Sequence, residues 1–265
     1  MPVSTVNGLE LGWERLGSGP RVLFCNGSGR SLADARPMLE YLAGELDLLA
    51  WDYRGFGESE LPGGSYTMAD LAADAVGVLG LAGWDSCRIV GVSFGGMVAQ
   101  EFAVTYPERV ERLALVCTSS GGEGGSSYPL QELFELPEEE LAAVGLKVVD
   151  SRWDEGWFEA HPSDRAVAER FAPKGPPEPG DAGGAHRAQL EARAGHDVWD
   201  RLPSITCPTL VACGRYDGIA PVENGRAIAS RVAGAELREY EGGHAFLLQD
   251  PAAMGDLVAF LREDG

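Results

Sequence analysis

A doubly wound, mostly parallel α/β sheet with an inserted helical cap is the fold class this sequence predicts, and three observations carry it. Short apolar runs that end at glycine or a polar turn alternate with longer stretches of helical periodicity. The runs are nearly continuous in apolar residues, as strands buried on both faces are. The alternation then fails once, over residues 119–199, and resumes.

Strands are expected at 22–25, 46–51, 88–92, 113–117 and 209–212, with a sixth, less apolar run at 237–240. Helices are expected at 35–42, 68–81, 94–106, 221–232 and 254–262. A core of residues 1–118 and 200–265 would then carry a cap of residues 119–199. The cap segment holds glycine-rich Gly121 to Gly125, helical patterns near 131–149 and 162–171, and a proline-glycine stretch from Pro173 to Gly184. In open sheets of this kind ligands bind beyond the carboxyl ends of the strands, so the loops after those runs are where chemistry is sought.

With 265 residues, 45% hydrophobic and 23% charged, the chain can bury a full core as one domain with an insertion. Forty-one acidic against 21 basic residues give a formal charge of −20, which repels phosphate backbones and anionic headgroups and argues against nucleic acid and membrane partners. No segment approaches the roughly 20 apolar residues needed to cross a bilayer, and the first residues lack a basic start followed by an apolar stretch. The five cysteines, Cys25, Cys87, Cys117, Cys207 and Cys213, are odd in number and lack metal-ligand spacing. They read as buried free thiols, which fits a reducing cytoplasm.

Gly91-Val92-Ser93-Phe94-Gly95 matches the nucleophile elbow, a strained strand-to-helix turn that exposes its serine. A glycine-rich chain of this length yields roughly 0.3 such matches by chance, so the flanks decide. Here a strand-like run, Cys87-Arg88-Ile89-Val90, precedes the pattern and a helix-like one, Gly96 to Phe102, follows it.

A serine hydroxyl is a poor nucleophile at neutral pH and needs a base, for which an imidazole is suited. Of the four histidines, His244 alone lies on a loop at a strand's carboxyl end, in Glu241-Gly242-Gly243-His244. His161, His186 and His196 read as surface or structural residues. An acid must orient the imidazole, and Asp217, in Gly214-Arg215-Tyr216-Asp217 after the run at 209–212, is in place for it, with Asp150 as the fallback. The developing oxyanion needs two donors. Candidates are the backbone N–H of Phe94 and that of Ser28, in Asn26-Gly27-Ser28-Gly29 after the first buried run.

Together these residues resemble the α/β-hydrolase superfamily over nearly all the chain outside the cap. The chain order Ser93, Asp217, His244 is the one that fold uses. Asn26-Gly27 stands where the family has His-Gly, a departure that resembles enol-lactonases and some perhydrolases. Asp52-Tyr53-Arg54-Gly55-Phe56-Gly57-Glu58-Ser59 is similar to a family segment after the fourth strand and reads as structural. Dehalogenases and epoxide hydrolases of the superfamily carry an aspartate at the elbow, so Ser93 argues against both.

The resemblance implies a serine hydrolase that cleaves a small carboxylic ester or lactone through an acyl-enzyme, with no cofactor and no metal. A C–C bond hydrolase, a thioesterase or a perhydrolase could use the same triad, and a ligand-binding receptor or signalling protein could be built on the same fold. Within the cap, Trp153, Trp157, Phe158 and Phe171 are candidates to face the substrate. If the substrate carries a carboxylate, an arginine should face the pocket, with Arg30, Arg152 and Arg215 as candidates. Oligomeric state is not legible.

Overall fold

In the computed structural model, which describes residues 1–171 and 181–263, one sheet of eight strands runs through the molecule. The strands are β1 (Val3–Val6), β2 (Leu9–Gly17), β3 (Arg21–Cys25), β4 (Asp47–Trp51), β5 (Cys87–Val92), β6 (Val110–Val116), β7 (Thr209–Gly214) and β8 (Glu236–Tyr240). Their spatial order is β1-β2-β4-β3-β5-β6-β7-β8; β1 and β2 are antiparallel to their neighbours and all other pairs are parallel.

The six expected runs all form strands, and the β1–β2 hairpin was not foreseen. It mixes exposed, half-buried and a few buried residues at the sheet's edge and so lacks a continuous apolar run. Its signal is Asn7-Gly8 at the turn, where both residues take positive φ (51° and 81°), the pair that a tight hairpin favours.

Helices cover both faces. On one side α2 (Met68–Leu81), α3 (Phe94–Thr105) and α8 (Val222–Arg231) pack against Leu23, Leu49, Ile89, Leu113 and Val211. On the other, α1 (Leu32–Ala43) and α10 (Ala253–Arg262) pack against Val22, Leu48, Val90, Ala114 and Leu210. The two lists are adjacent positions on each strand, which is how a pleated strand feeds two cores. Helix α1 begins three residues before its expected start because Ser31 and Asp34 form a capping box, and Thr67 and Asp70 form one at the start of α2.

Between β6 and β7 the sheet pattern gives way to α4 (Glu138–Val149), α5 (Glu155–Ala160), α6 (Pro162–Phe171) and α7 (Asp181–Ala194). Most of the expected proline-glycine stretch, residues 172–180, lies outside the described residues; from Asp181 onward its end is helical. The last short helix, α9 (Phe246–Gln249), follows β8. No helix among the described residues is long and apolar enough to cross a membrane. All five cysteines are free; Cys207 is half-buried and the others are buried.

The Asp52–Ser59 segment is an internally braced turn. The Asp52 carboxylate accepts from the backbone of Leu32 (2.6 Å) and Glu58 (3.1 Å), and the Ser59 hydroxyl donates to the Asp52 carbonyl (2.6 Å). Arg54 reaches α2 and forms a two-pronged ion pair with fully buried Asp74 (2.6 and 2.9 Å).

Candidate active site

Six parallel strands end in loops at one edge of the sheet, and the catalytic and oxyanion candidates lie on four of those loops: Ser28 after β3, Ser93 and Phe94 after β5, Asp217 after β7 and His244 after β8. Ser93 has φ 56° and ψ −115°, a strained conformation for a residue with a side chain, and α3 begins at the next residue. The strain is tolerated because the flanking glycines leave no room for anything else. A Cβ on Gly91 would stand 2.3 Å from the Gly95 carbonyl oxygen, and one on Gly95 would stand 2.0 Å from that of Cys25. Strand, turn and helix are thus pressed together, and the Thr118 hydroxyl donates to the Ser93 carbonyl (2.8 Å).

His244 Nε2 lies 2.9 Å from Ser93 Oγ, and its Nδ1 lies 2.7 Å from Asp217 Oδ2. The other Asp217 oxygen accepts two backbone N–H groups, from Ile219 and Ala220, each at 2.8 Å. Those bonds fix the carboxylate so that one oxygen faces the imidazole. The His244 backbone N–H donates to the Val149 carbonyl (2.7 Å), which ties its loop to the end of α4. Burial by itself pulls the imidazole pKa down; the adjacent Asp217 carboxylate and the Cys117 sulfur together outweigh it and hold the pKa well above the ordinary histidine value.

Asp150, the fallback acid, is fully buried but engaged elsewhere: it holds Arg152 with both oxygens (2.9 and 2.6 Å) and accepts from Gln249 (2.9 Å). It braces the histidine loop from behind, since a Cβ on Gly243 would touch it at 2.6 Å. Reading by sequence missed Cys117. This residue directly follows β6 with φ 43°, is buried, and places its sulfur with the Asp217 carboxylate and the His244 ring inside a 4.8 Å cluster. Its only sequence signal is its place at a strand's carboxyl end. The three donors are metal-ligating types, but Asp217 and His244 already bond each other and the second Asp217 oxygen is satisfied by backbone, so the cluster is a hydrogen-bonded one rather than an open cation site.

The loop after β3 comes close to the nucleophile. A Cβ on Gly27 would lie in ordinary contact, 3.8 Å from the Val92 carbonyl oxygen and 4.0 Å from the Ser93 Cβ, so the loop packs directly beside the nucleophile. Asn26, standing where the resemblance placed histidine, donates through Nδ2 to the carbonyls of Arg30 (3.3 Å) and Ser31 (3.1 Å) and so shapes the loop. Gln189 of α7 accepts the Gly29 N–H at 2.7 Å. The Ser28 hydroxyl and the Gln189 amide nitrogen are buried there without partners. Phe94, being the first residue of α3, has an N–H with no acceptor within its own helix.

The cap aromatics face inward. Trp153 and Phe158 are buried in a cluster with Leu141, Val148, Ile219 and Ala245, and Trp157 and Phe171 pack against it. Trp153 and Trp157 both donate to Asp164 (3.3 and 2.8 Å). Since Ile219 and Ala245 neighbour Asp217 and His244, the cap's own core rests on the loops that carry them. Of the arginines, Arg152 is paired with Asp150 and Glu241, Arg215 with Glu239 and Glu241, and Arg30 donates to the Arg170 carbonyl (3.2 Å) and lies over the Phe171 ring. His161 stacks on Trp157 and His186 meets Phe56 edge to face, whereas His196 is buried and held by desolvation at a pKa of about 4.

A poly(3-hydroxyalkanoate) depolymerase of Ectopseudomonas oleovorans is 29% identical over 92% of this chain and 84% of its own. A protein of Azorhizobium caulinodans with the provisional name carbamate hydrolase RutD is 27% identical over 97% of both. The crystal structure of the enol-lactonase from Burkholderia xenovorans LB400 superposes with a TM-score of 0.77 at 25% identity, covering 99% of this chain and all of that one. With the family model for the alpha/beta hydrolase fold matching residues 20–251, the chain belongs to the α/β-hydrolase family.

Proposed function

We propose that this chain is a serine hydrolase that cleaves a small carboxylic ester or lactone through an acyl-enzyme. The observation that carries the reading is the succession Ser93 Oγ, His244 Nε2 at 2.9 Å, His244 Nδ1, Asp217 Oδ2 at 2.7 Å. With Nδ1 protonated and donating to Asp217, the Nε2 lone pair faces the serine hydroxyl. His244 then takes the Ser93 proton as Oγ attacks the carbonyl carbon, and returns it to the leaving alkoxide oxygen. Asp217 stabilises the imidazolium formed between those two transfers. The N–H groups of Phe94 and Ser28 are assigned to the oxyanion, in keeping with the close approach of the loop after β3 to Ser93. Water activated by the same imidazole releases the acyl group and restores the serine.

A chromogenic acetate ester tests the assignment. Ser93→Ala should lower kcat by about 10⁶-fold while leaving the fold intact by circular dichroism, and should abolish labelling by a fluorophosphonate. Wild-type turnover surviving in Ser93→Ala would remove the serine from the reaction. A carbamate would be attacked by the same nucleophile, and the RutD-named relative favours including carbamates in the substrate panel.

A further inference from the structure

Between α3, the loop after β6 and the end of α7 lies a cavity of about 260 Å³, lined among others by Met97 of α3, Ser119, Ser126 and Ser127 of the loop after β6, Arg193 of α7 and His196 just beyond it. It adjoins the candidate site: Met97 stands one turn along α3 from Ser93, about 6 Å, and Ser119 follows Thr118, whose hydroxyl holds the Ser93 carbonyl.

Arg193 is 7% exposed, and its one hydrogen bond runs to a neutral acceptor, the Tyr128 carbonyl at 2.8 Å. No carboxylate pairs with it among the described residues, in a chain with 41 acidic side chains. A buried guanidinium carries five donors and a full charge, and leaving it without an anion is costly. Its surroundings are built to match: the residues lining the cavity include no aspartate or glutamate, but do include the buried His196 ring and three serine hydroxyls, two of which, Ser119 and Ser127, bond each other (2.7 Å). Desolvation pulls the Arg193 pKa down to about 10, so it remains a cation at neutral pH. Arg193 is also one turn from Gln189, which holds the loop after β3 through Gly29. One face of α7 thus touches both the loop above Ser93 and the cavity.

The geometry points to this cavity as a carboxylate-binding site for the acidic end of the substrate, with Arg193 as its cation. On the reading that Ser93 is the nucleophile, the preferred substrates are short esters or lactones whose acyl part ends in a carboxylate. Arg193 contributes to specificity and takes no part in bond breaking.

Monomethyl glutarate and methyl 5-methylhexanoate form a matched pair, the second replacing the carboxylate by an isopropyl group of the same shape. The ratio of their kcat/KM values, acid over neutral, should fall about 30-fold in Arg193→Gln, mostly through KM, and less in Arg193→Lys, which keeps the charge and loses the planar fork. An unchanged ratio would overturn the assignment. Binding is read separately, without turnover: free glutarate titrated calorimetrically into Ser93→Ala protein should give heat that disappears in the Ser93→Ala, Arg193→Gln double variant. Equal heats, or none in either, also overturn it. If glutarate binds through Arg193 while the kinetic ratio stays unchanged, the cavity takes a free carboxylate and the substrate assignment fails. Because the titration needs no active serine, failure of the Ser93 reading leaves this arm standing. Removing an unpaired buried charge should also raise Tm by about 2–4 °C in Arg193→Met; a fall in Tm would mark Arg193 as a structural pin instead.

Discussion

His244 is under two opposed influences, and their balance has a kinetic consequence. Only the neutral imidazole can accept the Ser93 proton, so kcat/KM for a neutral ester should rise with pH through the His244 pKa. Burial lowers that pKa, Asp217 and Cys117 together raise it more, and the midpoint should therefore lie above about 6.5. Asp217→Asn removes the charge that raises it: the midpoint should move down while kcat drops by about 10⁴-fold, because the amide no longer favours the reacting tautomer. A pH–rate profile of both proteins checks this, and a midpoint that rises in the variant would contradict the role given to Asp217. Ser93, Asp217 and His244 were legible because each needs only a residue type at a strand's carboxyl end, which apolar runs reveal. Arg193 and Cys117 were not. Nothing in Ala192-Arg193-Ala194 distinguishes a buried, unpaired guanidinium from a solvated one, because burial there is decided by where the helix packs. Arg152 and Arg215 failed as free cations for the same reason: their carboxylate partners come from other elements, Asp150, Glu239 and Glu241.

Elements were read best where local chemistry marks their ends. The Thr67–Asp70 capping box bounds α2 at its expected first residue, whereas the apolar periodicity of α1 sets in only after the Ser31–Asp34 box that starts the helix. Edge strands β1 and β2 carry weak apolar patterning, and in the cap 3.6-residue periodicity located helices without telling which face meets the core. Trp153 and Phe158 accordingly serve the cap's own cluster. The elbow is the element on which the site depends most. Gly95→Ala would drive a methyl to 2.0 Å from the Cys25 carbonyl oxygen, backbone that cannot step aside without moving β3 away from α3. A destabilisation of about 3 kcal/mol or more is expected, measured by urea denaturation. Since the same shift would carry the loop after β3 away from Ser93, activity should fall even at temperatures where the variant remains folded. By contrast Gly80→Ala, on an open stretch of α2 with nothing within 4 Å, should be neutral or stabilising by up to about 1 kcal/mol.

At the scale of the whole molecule a net charge of −20 surrounds a cavity whose cation is Arg193. An acidic substrate thus meets repulsion over its approach and attraction only at contact. Salt separates the two, because screening acts strongly on exposed charges and weakly on buried ones. The Debye length is about 30 Å at 0.01 M ionic strength and about 8 Å at 0.15 M, so the long-range repulsion is largely removed over that range while the Arg193 contact persists. For monomethyl glutarate, kcat/KM should therefore rise by roughly two- to five-fold between those conditions, through KM. For methyl 5-methylhexanoate it should stay level, since a neutral ester feels neither effect. In Arg193→Gln the acidic ester should keep its salt-dependent rise while starting from a lower value, because the mutation removes the contact and leaves the surrounding field. Steady-state kinetics at four or five salt concentrations decide it. A fall in kcat/KM with salt for the acidic ester would mean that attraction at the cavity mouth outweighs the molecule's net charge, and that further cations reach the substrate before Arg193 does.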